Sequence, residues 1–92
     1  MGADVIVTIK VMPESPAVDL VALQKHVEDA IKQAKGRVAK AELEPVAFGL
    51  KAVKITFVRD EAIGGTDDIE EALAKLQGVI SVQVTNVSRA LG

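Results

Sequence analysis

Two-residue alternation opens the chain: Val5, Val7, Ile9 and Val11 share one side of a strand, and Ile6, Thr8, Lys10 and Met12 share the other. Pro13, Ser15 and Pro16 stop that strand. The apolar period then lengthens to that of a helix, through Leu20, Leu23, Val27, Ile31 and Ala34, with Asp19 placed to accept hydrogen bonds from the free amides of the first turn. Gly36 follows Lys32 and Lys35, which predicts a left-handed glycine terminus at the helix end where the dipole favours cations. Val38 to Leu43 alternates weakly and carries Lys40 and Glu42 on one side, as suits an edge strand guarded against stray pairing. Pro45 ends it.

Alternation resumes at Val53, Ile55 and Phe57, opposed by Ala52, Lys54 and Thr56. Gly64 and Gly65 break the chain, Thr66 is a good helix N-cap, and Asp67 and Asp68 fall where the helix dipole favours carboxylates. Ile69, Ala72, Leu73 and Leu76 predict the inward face of a second helix, closed by Gly78. In a last strand, Ile80, Val82 and Val84 alternate with Ser81, Gln83 and Thr85. The order is strand, helix, strand, strand, helix, strand, which predicts an α+β, ferredoxin-like split βαβ sandwich. Each helix has one apolar stripe, so both should cover one face of a four-stranded antiparallel sheet. The open face would then carry Thr8, Lys10, Lys54, Thr56, Ser81 and Gln83.

At 92 residues the chain is expected to form one domain, 1–92, with a single core. Only 2% of its residues are aromatic against 49% hydrophobic, so Val, Ile, Leu and Ala must fill the interior. A formal net charge of -2 provides no whole-molecule attraction to nucleic acid or anionic membrane. Cysteine is absent, which excludes disulfides, thiolate metal sites and a Cys nucleophile and fits a reducing compartment. Neither a signal sequence nor an apolar run of membrane-spanning length is visible, so a cytoplasmic location is expected.

With aromatics so scarce, the position of each one matters. Phe57 falls in step with Val53 and Ile55 and reads as core, whereas Phe48 lies in Pro45-Val46-Ala47-Phe48-Gly49-Leu50-Lys51, outside any periodic pattern. It is a candidate contact residue. Lys32, Lys35, Arg37, Lys40, Lys51, Lys54 and Arg59 surround it in sequence, opposed between Lys32 and Arg59 only by Glu42 and Glu44. That basic middle fits ordinary surface solubility and fits equally an interface with an aromatic anchor and charged rim.

Rival chemistries are poorly supplied. An RNA-recognition surface needs aromatics on the central strands, and the expected open face has none. Gly64-Gly65-Thr66 lacks the lysine of a phosphate loop and is followed by two carboxylates that would repel an anion. His26, the one histidine, flanks the apolar stripe of the first helix as a boundary residue would. The acidic run Asp60, Glu61, Asp67, Asp68, Glu70 and Glu71 reads as a solvated loop and helix face.

Three stretches carry a family resemblance: Val7-Thr8-Ile9-Lys10-Val11-Met12-Pro13-Glu14-Ser15, Glu44-Pro45-Val46-Ala47-Phe48-Gly49-Leu50-Lys51, and Val84-Thr85-Asn86-Val87. With them the whole chain resembles the archaeal elongation factor 1-beta family, and the Pro-x-x-Phe-Gly-Leu segment is the most specific part. The resemblance implies a guanine nucleotide exchange factor for elongation factor 1-alpha, of ferredoxin-like fold, with no covalent step and no cofactor. It implies that Phe48 is an anchor inserted into the nucleotide-binding domain of that GTPase, with Gly49 permitting the turn and Leu50 and Lys51 beside it. Eukaryotic relatives place a lysine next to the C-terminus to disturb the partner's magnesium and phosphate region. Here the chain ends Val87-Ser88-Arg89-Ala90-Leu91-Gly92, so Arg89 is the nearest, displaced candidate. The long N-terminal region of eukaryotic forms is missing, which implies an exchange domain alone. The alternative is a regulatory module of the same fold that binds a small metabolite between paired domains. An acylphosphatase would need a phosphate loop with its arginine, and none matches.

Overall fold

In the computed structural model, residues 3–63 and 65–90 are described; Gly64 of the expected glycine break and the terminal Leu91 and Gly92 lie outside them. The elements are β1 (Asp4–Pro13), α1 (Leu20–Gln33), β2 (Arg37–Pro45), β3 (Lys51–Asp60), a short 3-10 turn (Glu61–Ile63), α2 (Asp67–Ala74) and β4 (Val79–Ala90). The strands form one antiparallel sheet in the order β2-β3-β1-β4. This is the ferredoxin-like α+β fold expected from the pattern. Val7, Ile9 and Val11 of β1 and Val53, Ile55 and Phe57 of β3 meet Leu23, Val27 and Ile31 of α1 and Ile69 and Leu73 of α2 in a single core.

Capping decides where α1 begins and ends. The Asp19 carboxylate accepts from the amides of Val21 at 3.0 Å and Ala22 at 3.2 Å, an arrangement that contributes about 1 kcal/mol. At the other end the left-handed residue is Lys35, with φ 67°, and not Gly36. Gly36 donates its amide to the Ile31 carbonyl at 2.8 Å, and a Cβ there would stand 2.6 Å from Ile31 Cγ2 and 3.2 Å from Phe57 Cδ2. The glycine is needed because β2 leaves the helix in close contact with the core.

The second helix also departs from expectation at both ends. Thr66 occupies the N-cap position, but its hydroxyl donates to Glu70 Oε2 at 3.0 Å and accepts nothing from the helix amides. The helix stops at Ala74, leaving Ala72 exposed and Leu76 beyond the last turn. Gly78, at φ 88°, shapes the turn into β4, and its carbonyl accepts from the Glu14 amide at 2.8 Å. In β4 the register against β1 shifts between Thr8 and Ile9 and between Met12 and Pro13. Ile80 falls in the second shift and is 69% exposed, so it leaves the apolar alternation expected of it.

On the open face Thr8 stands opposite Thr56, their hydroxyls 3.2 Å apart. Lys10 stands opposite Lys54, an unfavourable pairing of like charges offset by Glu44, 3.9 Å from Lys10, and Glu42, 3.9 Å from Lys54. The register defines two ends of the molecule. Pro13, the β2–β3 turn and the start of β4 lie at one; Asp4, Arg37, Asp60 and Arg89 lie at the other.

Candidate functional site

Between β2 and β3 the chain reverses through residues 46–50. The Val46 amide donates to the Leu50 carbonyl at 2.9 Å, and the Leu50 amide donates to the Ala47 carbonyl at 2.9 Å. Phe48 and Gly49 occupy the apex with φ of 55° and 77°. Two successive left-handed residues match the twist of a hairpin, and Asn-Gly or Gly-Gly would ordinarily fill them. Gly49 suits its position through its φ alone, since nothing lies within 4 Å of where a Cβ would stand.

Phe48 suits neither its backbone nor its surroundings. The left-handed conformation costs a residue with a Cβ about 1–2 kcal/mol. No burial offsets that cost, because Phe48 is 96% exposed. Val46 beside it is also exposed, Leu50 is half-buried and Lys51 is exposed, so Phe48, Gly49, Leu50 and Lys51 form one projecting surface.

Two hollows flank this turn. One, of about 290 Å³, is formed by Pro45 to Lys51 themselves. The other, of about 240 Å³, lies against the exit of β1 and is lined by Pro13, Ser15, Pro16, Leu20, Gly49 and Lys51. In sequence, Pro13 to Pro16 reads as a strand stop, and Pro13-Glu14-Ser15 as the end of a family stretch, with nothing that links either to the turn. Topology held the missing signal, because the end of β1 and the β2–β3 turn must meet at one end of an antiparallel β2-β3-β1 sheet.

Arg89 lies elsewhere. It pairs with Val5 across β1 and its guanidinium bonds the Glu61 carboxylate. From Val5 to Val11 is six residues along β1, and from Val53 back to Lys51 is two more along β3, so Arg89 lies roughly 27 Å from the turn. The basic middle disperses as well. Arg37 pairs with Asp4 at 3.4 Å, and Lys40 and Lys54 share Glu42 at 3.8 and 3.9 Å, so no charged rim assembles around Phe48. Lys51 alone of these cations stands beside the turn, and it makes no ion pair with a described residue.

Arg59 is buried, with only 5% of its side chain exposed. Its guanidinium donates to Asp68 Oδ1 at 3.0 Å and Oδ2 at 2.7 Å and to the Gly65 carbonyl at 3.1 Å. The hydrogen bond from Arg59 holds the Asp68 carboxyl below its usual range, against an opposing push from desolvation. These bonds clamp the first turn of α2 and the segment before it onto β3, a structural task that accounts for part of the acidic run. Its signal was present in sequence, since Arg59 continues the core phase of Val53, Ile55 and Phe57 and a cation in that phase requires a carboxylate. His26 is exposed at the edge of a shallow groove with Glu14 and Asp19. Among the described residues no cluster of His, Asp and Glu could hold a metal ion, and no helix is long and apolar enough to cross a membrane.

The geometry therefore describes a small ferredoxin-like α+β domain that holds an aromatic side chain out at one end of its sheet. Residues 6–90 match the family described as the EF-1 guanine nucleotide exchange domain, and the chain belongs to that family. Among curated relatives, elongation factor 1-beta of Methanothermobacter thermautotrophicus is 46% identical over 88 residues, covering 96% of this chain and 98% of the relative. Elongation factor 1-beta of Methanobrevibacter smithii is 44% identical over 88 residues, with 96% and 98% covered. That of Methanosphaera stadtmanae is 44% identical over 89 residues, with 97% and 99% covered. The resemblance carried by the three stretches is borne out, and these relatives support a nucleotide-exchange role in translation elongation.

Proposed function

We propose that this domain binds elongation factor 1-alpha in its GDP-bound form and promotes replacement of GDP by GTP, with no covalent step of its own. The observation that carries this reading is Phe48, 96% exposed at φ 55°, an aromatic held where neither packing nor backbone preference calls for it. Strained residues of that kind cluster at sites of contact, and aromatic anchors dominate the energy of such contacts. Gly49 makes the turn possible, Leu50 beside it is half-buried, and Lys51 lies next to it as a cation with no ion pair among the described residues. Arg89, at the opposite end, contributes only if the partner spans the length of the sheet. The domain acts as one unit in the cytoplasm.

Exchange follows from linkage. A factor that binds the nucleotide-free GTPase more tightly than the GDP form lowers the affinity for GDP by the same factor, and returning nucleotide expels it in turn. The deciding experiment loads elongation factor 1-alpha with a fluorescent GDP and follows its release. Wild-type protein accelerates release. Phe48→Ala loses roughly 30-fold of that acceleration at sub-saturating factor, the equivalent of a ~2 kcal/mol anchor. Acceleration unchanged by Phe48→Ala removes the anchor assignment. No acceleration by wild type, together with metabolite-dependent dimerisation, would establish the regulatory module instead.

A further inference from the structure

We propose that the hollow between the β1 exit and the β2–β3 turn is a second seat of the same docking surface. It takes a carboxylate-bearing segment of the GTPase, whose carboxylate pairs with Lys51. The inference rests on the exchange reading and extends its contact surface to Pro13, Ser15, Pro16 and Leu20.

Three observations converge on it. The walls are stiff and of mixed polarity: Pro13 is buried, Pro16 has a fixed φ and Leu20 packs against the core, while Ser15 and Lys51 add polar groups, so the seat exists before a partner arrives. Gly49 lies in the lining and adds no side chain to it. Gly49 and Lys51 border both this hollow and the one formed by the turn itself, so a surface that engages Phe48 runs directly into it.

Charge selects the occupant. Among the described residues Lys51 is the one charged residue lining the hollow, whereas Glu14 and Asp19 line a separate groove with His26. Lys10, Arg37, Lys40 and Lys54 each have a carboxylate within 4 Å, and Lys51 has none among the described residues. The matching partner segment is one that presents an Asp or Glu.

Ser15→Trp fills the hollow, Lys51→Glu reverses its charge, and Gln33→Trp adds the same bulk at the far end of α1. Each variant is titrated against elongation factor 1-alpha loaded with fluorescent GDP, with thermal melting recorded in parallel. Ser15→Trp and Lys51→Glu each raise the half-saturating concentration at least tenfold, while Gln33→Trp titrates as wild type. Should Ser15→Trp fail to fold, Lys51→Glu, a surface change, decides alone. If Lys51→Glu, and Ser15→Trp where folded, titrate as wild type while Phe48→Ala is impaired, the second seat is wrong and the exchange reading stands. If wild type itself releases no GDP, the exchange reading falls and the second seat falls with it.

Discussion

The two phenylalanines occupy neighbouring stretches of chain under opposite constraints. Phe57 is fully buried in β3, in extended backbone, touching the space that Gly36 leaves beside α1. Phe48 sits in the turn just before that strand, fully in solvent, in a conformation that disfavours it. One is explained by everything around it and the other by nothing inside the molecule. The contrast separates a residue that folding explains from one that we propose is retained for contact.

Substitutions should divide along the same line. Phe57→Ala opens a cavity in the core and should cost about 3–5 kcal/mol in chemical denaturation. A loss below about 1 kcal/mol would show that the core does not depend on it. Phe48→Ala should do the reverse, leaving the denaturation midpoint within about 0.5 kcal/mol of wild type while GDP release slows as described above. A large stability loss with normal exchange would collapse the distinction.

The far end of β3 provides a third case, a polar residue retained for folding. Asp68→Asn should cost about 2 kcal/mol, less than the 3–5 kcal/mol of a fully enclosed pair because the Asp68 side chain is 56% exposed. Its pH dependence has a definite sign. The folded-state pKa of Asp68 is lowered, so its contribution is fully present above about pH 4 and is lost as pH falls through the folded value. Wild type and Asp68→Asn should therefore converge in stability on acidification, and a gap that widens below pH 4 would refute the pairing.

Smaller effects sharpen the comparison. Phe48→Asn places a residue tolerant of left-handed backbone at the apex and should stabilise the fold by about 0.5 kcal/mol while impairing exchange, a gain in one measurement bound to a loss in the other. Destabilisation by Asn would mean that the phenylalanine ring supports the hairpin after all. Arg89→Ala removes an exposed ion pair and should change stability by less than about 0.5 kcal/mol, and it should reduce exchange less than Phe48→Ala does. The opposite ranking would move the active end to β4.

Periodicity sufficed for the architecture because each strand and helix has one buried face, and a face turned to the core repeats its apolar residues at the period of its element. What escaped it depended on neighbours distant in sequence. Gly36 was expected to be the left-handed residue, but Lys35 takes that conformation, and the glycine answers instead to Ile31 and Phe57. Ile80 looked like a core residue until the register shift against Met12 and Pro13 turned it outward. Thr66 has the right chemistry for a cap and spends it on Glu70. For the candidate site, Phe48 stood out because it broke the pattern, whereas the residues of the β1 exit could be placed beside it only once strand order was known.

The register shifts have a further consequence at the margins of the sheet. β2 and β4 are the outer strands; β2 is kinked against β3 between Val38 and Lys40, and β4 is kinked twice against β1. A straight, unbroken outer strand offers its free amides and carbonyls as a template on which another copy can stack. Kinks interrupt that template, as do the charged side chains of Lys40, Glu42 and Glu44 on β2. Edges of that kind disfavour pairing between copies of the chain through β2 or β4.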